Sequence, residues 1–249
     1  MSSAQLYATP LHLYAMAPGG EVIRLPAGDT GEGTDPALSE AAAWLRSKTT
    51  FGARVDLLLA SSLVRFATVP WIAGACTGGA LRRQVQRHLG ERHGDDLAEW
   101  TLRIQWPRYG WPTFAIGYPT RQLSAVSAAL LDAGLSIDRT MATAVAVVAR
   151  HGGKMPGGAA LIGFEENDGL TGVHLSDGAI SEVERLPGVG RGLDAPDVWC
   201  NRKRFEFPAS GQLRWLQSAH GPAAFRALAL TAASSGSACA ATDLLMAIR

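Results

Sequence analysis

The sequence predicts an α/β chain built as two lobes. Three observations carry this. Strand-like and helix-like segments alternate through residues 1–150. A glycine- and proline-rich joint, His151-Gly152-Gly153-Lys154-Met155-Pro156-Gly157-Gly158, interrupts them. A three-strand meander then opens the part from 159 to 249. The expected division is a first lobe over 1–150, a linker over 151–158 and a second, shortened lobe over 159–249.

Leu6 to Met16 is rich in strand formers, and Pro18-Gly19-Gly20 turns it into Glu21 to Leu25, a hairpin. Gly28 to Thr34 reads as a polar loop. Asp35 suits a helix N-cap and Pro36 the first helical position. Leu38, Ala41, Ala42 and Leu45 follow at helical spacing, and Gly52 closes the segment. Val55 to Leu59 and Leu63 to Val69 read as strands flanking Ser61-Ser62, with Pro70 ending the second.

A helix is expected from about Ala80 to His93, with Leu81, Val85 and Leu89 as its apolar stripe. Trp100, Leu102, Ile104 and Trp106 alternate at strand period, and Pro112 to Tyr118 is the expected partner strand. Pro119-Thr120 starts a helix carrying Leu123, Val126, Leu130 and Leu131, stopped by Gly134. Ser136 to Asp138 reads as a short link and Arg139 to Arg150 as an alanine- and valine-rich helix.

After the joint, Ala159 to Phe164, Leu170 to Leu175 and Ala179 to Leu186 form the meander. Asp177-Gly178 marks one of its turns. Helices are expected near Gln212 to Ala219, near Pro222 to Ala233 and at Ala240 to Ile248.

Composition narrows the function classes. The chain is 47% hydrophobic and 18% charged, enough for a core and unlike a disordered chain. A net charge of +1 leaves no general field to attract nucleic acid or an anionic membrane. Cys76, Cys200 and Cys239 are far apart and form no CxxC, the pattern of reduced thiols. No secretory leader is recognisable, and no run reaches the ~18 apolar residues of a membrane span. A cytoplasmic protein is expected.

Few residues offer chemistry. His88 and His93 are five apart, so they do not stack as metal ligands on a helix. Ser61-Ser62 lacks a GxSxG setting, and Gly188-Val189-Gly190-Arg191-Gly192 fits neither phosphate-loop pattern. No metal, cofactor or catalytic residue is expected. The aromatic group Trp100, Trp106, Tyr109 and Trp111 is more informative. Core packing accounts for the first two, whereas aromatics at a turn favour an interface.

The succession VDLLLASSLVRFATVPW, then TFAIGYPTRQLSAVSAALLDAGLSIDRTMATAVAVVAR, resembles the actin-like PilM family of type IV pili. It equally resembles the cytoplasmic part of the GspL family of type II secretion. The meander from 159 looks like the start of the family's second lobe, and SACAATDLLMAIR like its closing helix. The resemblance implies an actin-like (RNase H-like) two-lobed fold with a small αββα insertion, here about 80–135. It implies a cytoplasmic scaffold, peripheral to the inner membrane, that holds the cytoplasmic tail of a bitopic inner-membrane assembly protein. It also implies a link to the motor ATPase; the sequence leaves the oligomeric state open, with a homodimer as one form. The absence of a span favours the PilM-like arrangement.

The tail is expected on the inserted subdomain, against Trp100, Trp106, Tyr109 and Trp111 with Arg83 and Arg87 of its first helix. An extended peptide there adds to a sheet edge and seats its apolar side chains in a pocket. The sequence departs from actin-like ATPases at both phosphate turns. Their usual Asp-x-Gly is Thr9-Pro10-Leu11 in the first hairpin, with no carboxylate before Glu21. In the second lobe the corresponding place reads Gly163-Phe164-Glu165. A pseudo-ATPase is therefore expected. Two other readings stay open at this point: an enzyme of the sugar-kinase-like class with an unusual nucleotide site, and an adaptor of unrelated α/β fold.

Overall fold

A computed structural model describes residues 4–28, 35–71, 77–94, 97–105, 109–151, 158–166, 168–187, 199, 203, 212–218 and 225–229. The first sheet contains β1 (Ala4–Ala8), β2 (His12–Met16), β3 (Val22–Pro26), β4 (Arg54–Leu59) and β8 (Ser136–Ala142) in the order β3-β2-β1-β4-β8. β1 to β3 form an antiparallel meander, while β4 and β8 join in parallel. Parallel strands are buried on both faces, and Val55, Leu57, Leu58 and Leu59 of β4 are all fully buried.

Three helices among the described residues accompany these strands. α1 (Pro36–Lys48) begins where Asp35 accepts the Ala37 N–H at 2.9 Å. α3 (Thr120–Asp132) packs beside α1 and ends at Gly134, whose φ of +73° permits the reversal into β8. α4 (Thr143–His151) follows β8 directly.

Between β4 and α3 lies a smaller unit. β5 (Arg65–Val69), β7 (Thr113–Pro119) and β6 (Trp100–Ile104) form an antiparallel sheet in the order β5-β7-β6. α2 (Gly78–His93) covers it, capped by the Thr77 side chain and closed by Gly94 in the left-handed region. Leu81, Val85 and Leu89 meet Ala67, Val69, Leu102 and Ala115 in a core separate from that of the lobes. Trp100 and Ile104 pack against it, as the strand period predicts. β5 adds a third strand to the expected ribbon.

The second large sheet has the order β11-β10-β9-β12-β13. It comprises β9 (Ala159–Glu166), β10 (Gly169–Ser176), β11 (Ala179–Pro187), β12 (Gln212–Ser218) and β13 (Phe225–Ala229). It opens like the first sheet, with three antiparallel strands and a fourth parallel to the first. One continuous core includes residues of both sheets, from Leu6 and Leu57 to Ile162 and Val173.

Four expectations change. Residues 212–218 and 225–229, read as helix, are strands: Trp215 pairs with Gly163 and Leu228 with Trp215. Ladder pairing overrides the helical preference of their leucines and alanines. Arg139 to Ala142 belong to β8, not to the following helix, because they pair with Asp56 to Leu59. Gly163-Phe164-Glu165 is the interior of β9, and the turn comes later, between Glu166 and Gly169. The C-terminal helix over 240–248, residues 152–157 of the joint and all three cysteines lie outside the described residues.

Candidate functional site

Several places among the described residues concentrate polar groups or leave room for a ligand. The first is the junction of the two large sheets. Glu166, at the last position of β9, is 5% exposed. A buried carboxylate needs donors, and these come from both sheets. From the first lobe, the Ser61 N–H donates to both oxygens at 3.0 and 3.2 Å, and the Tyr7 hydroxyl lies 3.4 Å from Oε1. Thr143, at the start of α4, donates to Oε1 in a short contact. Thr171 of β10 donates to Oε2 at 2.7 Å. Ser61 Oγ and Thr143 Oγ1 are 3.0 Å apart, which links two of the donors to each other.

Chemically this is an internal anion site already occupied by the chain's own carboxylate. Ser61, which lacks the GxSxG setting of a nucleophile, serves it through its backbone N–H. Asp168 in the adjoining turn is held by Arg185, whose Nη2 lies 2.7 Å from Oδ2 and donates to the Asp168 carbonyl at 3.1 Å. In the first lobe, Thr9 replaces the expected acid and closes its own turn, its Oγ1 bonding the backbone of His12.

Sequence reasoning missed Glu166. The available signal was a pair of acids ending an apolar strand, since a charge there must find partners. Those partners are not readable locally, because Ser61 lies 105 positions away.

The second place is a groove of about 680 Å³ between the first lobe and the smaller unit. Its floor and walls are the β1–β2 turn, Asp35 and Leu38 of α1, Trp100, and Arg121, Gln122 and Ala125 of α3. Gly28 also lines it and approaches Asp35 so closely that a Cβ there would lie 2.3 Å from Oδ1. Arg65 stacks over the Trp100 ring at 4.8 Å and sets its orientation. Arg121 pairs with Glu99 at 3.0 Å across the rim. His12, on the opposite wall, is held below its ordinary pKa of 6.5 by burial and by the Arg24 guanidinium, 2.6 Å from Nε2. Apolar surface, backbone at a turn and a few fixed polar groups suit an extended peptide. A second groove, of about 740 Å³, runs on the other side of α3 along β8, beside the Asp56–Arg139 pair.

The six residues expected at the partner site do not converge. Trp100 lines the groove at the start of β6. Tyr109 and Trp111 lie at the opposite end of the β6–β7 hairpin, 89% and 41% exposed. Tyr109 packs there against Trp71, at 5.2 Å between ring centres. Arg83 and Arg87 are exposed on α2, and Arg87 pairs with Glu91 at 3.0 Å. Trp106 lies outside the described residues. Among the described residues there is no cluster of acidic, histidine or cysteine side chains fit to hold a metal, and no helix long and apolar enough to cross a membrane.

The fold is similar to that of the cytoplasmic domain of EpsL, an inner membrane component of the type II secretion system of Vibrio cholerae. The TM-score is 0.55 at 12% identity, over 85% of this chain and 81% of that one. It is similar to a protein of actin-like ATPase fold and unknown function from Bacteroides thetaiotaomicron, with TM-score 0.53, 9% identity, and 88% and 82% of the two chains covered. It is also similar to a structure of the PilM–PilN type IV pilus biogenesis complex. There the TM-score is 0.53 at 16% identity, over 83% of this chain and 66% of that one. No protein-family model matches the sequence, and no curated protein matches it. The chain has the actin-like fold.

Proposed function

We propose that this actin-like chain is a non-catalytic scaffold of a bacterial type IV pilus or type II secretion assembly platform. In this reading it binds the cytoplasmic tail of a bitopic inner-membrane protein, is held at the inner membrane through that partner, and links the platform to the motor ATPase. The tail lies in the groove beside Trp100, between the β1–β2 turn and α3.

One observation carries the reading: the lobe junction is closed around Glu166 while the groove is open. A nucleotide phosphate at the junction meets a carboxylate that already holds the local donors, and two anions cannot share them without a metal or proton. The groove, in contrast, has apolar walls and no internal occupant among the described residues. Similarity of fold to EpsL and to PilM in its complex with PilN supports a platform role.

The test uses synthetic cytoplasmic-tail peptides of bitopic proteins encoded beside this gene, titrated by fluorescence anisotropy. Saturable binding is expected, weakened by about 2 kcal/mol in Trp100→Ala. Binding that is indifferent to Trp100→Ala but lost in Met141→Lys moves the tail to the β8 groove. No binding by any neighbouring tail removes the proposal.

A further inference from the structure

We infer that the far end of the smaller unit, carrying Trp71, Tyr109 and Trp111, is a membrane-surface contact that rests on anionic lipid. The inference goes beyond the scaffold reading and does not rest on it.

The topology places these aromatics together. β5 and β6 both run antiparallel to β7, so the ends of β5 and β6 and the start of β7 share one tip, away from the lobes. Trp71 follows β5, whereas Tyr109 and Trp111 precede β7, and the Trp71–Tyr109 ring contact closes the tip. All three rings are exposed: Trp71 36%, Trp111 41% and Tyr109 89%. An isolated exposed aromatic is ordinary, but three on one tip are a patch that calls for a partner. Tryptophan and tyrosine, with an apolar body and a polar handle, favour the boundary between headgroups and acyl chains.

Charge chooses between lipid and protein. Between Asp56 and Asp132 the only acids are Glu91, Asp95, Asp96 and Glu99. Residues 57–90 contain no acid and four arginines, Arg65, Arg82, Arg83 and Arg87. Residues 100–131 contain no acid and three arginines, Arg103, Arg108 and Arg121. α2 follows β5, and its C-terminal end returns to the start of β5, where His93 Nε2 lies 3.2 Å from the Phe66 carbonyl, so Arg82 and Arg83 belong to the half of the helix toward the tip. Glu91 stands near the other end of α2, where the adjoining Arg92 pairs with Glu182 of the second large sheet at 3.3 Å. A net charge of +1 therefore conceals a polarised unit whose tip carries no acid among the described residues. Such a surface is complementary to anionic headgroups, while the rings supply the apolar term.

The experiment is flotation of the purified chain with vesicles of equal parts phosphatidylglycerol and phosphatidylcholine, and with phosphatidylcholine alone. Binding is expected to the mixed vesicles only, and to weaken as salt rises. Arg82→Gln with Arg83→Gln should lower the partition coefficient by roughly fivefold per arginine. The combined Trp71→Ser, Tyr109→Ser and Trp111→Ser variant should abolish flotation while circular dichroism and thermal midpoint stay as in the parent chain. Arg121→Gln, on the groove rim, should float like the parent. Failure of the parent chain to float, equal flotation with both vesicle types, or retained flotation in the triple variant each overturns the inference. So does a triple variant that floats normally yet loses a soluble protein partner, because the tip is then a protein interface.

Discussion

The Ser61 amide of the first lobe donates to both carboxylate oxygens of Glu166 in the second, at 3.0 and 3.2 Å. Ser61 lies in the turn after β4 and Glu166 ends β9, so one bifurcated hydrogen bond ties the end of β4 in the first sheet to β9, the central strand of the second. Tyr7, Thr143 and Thr171 complete the clamp. It is the polar counterpart of the apolar core that the two sheets share.

Glu166→Gln is expected to lower stability to urea by about 1–3 kcal/mol, the penalty for leaving buried donors incompletely paired. The amide retains one acceptor oxygen and sets an NH2 against the Ser61 N–H or the threonine hydroxyls. An unchanged denaturation midpoint would show that the clamp contributes nothing to the junction.

Magnesium-dependent phosphate release from ATP is expected to stay at the level of a denatured control. Calorimetry with Mg-ATP should show no micromolar binding. Steady turnover that disappears in Glu165→Gln or Asp168→Asn would refute the pseudo-ATPase reading and restore the kinase-like alternative.

A dependence on pH follows from Glu184 of β11. Burial pushes its carboxyl up, but the facing His174 and Lys203 outweigh this and leave its pKa below the usual 4.5. Lys203 Nζ lies 2.8 Å away, and the Trp199 indole N–H donates at 2.9 Å. A depressed folded pKa means that the stabilisation is fully present above pH 4.5 and fades as pH falls through the folded value. Thermal midpoints measured from pH 6 downward should therefore drop less steeply in Glu184→Gln than in the parent. Parallel slopes in the two proteins would exclude the linkage.

Gly172 of β10 has no room for a side chain. A Cβ there would come within 2.7 Å of Trp199 Cζ2 and 3.0 Å of Glu184 Cγ. Gly172→Ala should displace the indole, lower stability by roughly 1–3 kcal/mol and shift the tryptophan emission. Wild-type emission and stability together would mean that Trp199 does not cover β10 in solution.

Local patterns in the sequence determined most elements of the first lobe and its smaller unit. Asp35-Pro36 announced α1, the stripe Leu81, Val85 and Leu89 announced α2, and the alternation Trp100, Leu102, Ile104 announced β6. Each is a relation between residues a few positions apart, so period and capping chemistry suffice. Asp177-Gly178 likewise set a turn of the meander, with Asp177 at φ 49°. Tertiary structure alone decided β12 and β13, because their ladder partners come from β9 and from each other, not from their own composition. It also decided that Trp100 and Tyr109, nine positions apart, stand at opposite ends of one hairpin, since an extended chain carries residues apart faster than a sequence interval suggests. Glu166 belongs to the same class. A buried charge demands donors, but which donors depends on a chain reversal that brings Tyr7, Ser61 and Thr143 to the end of β9.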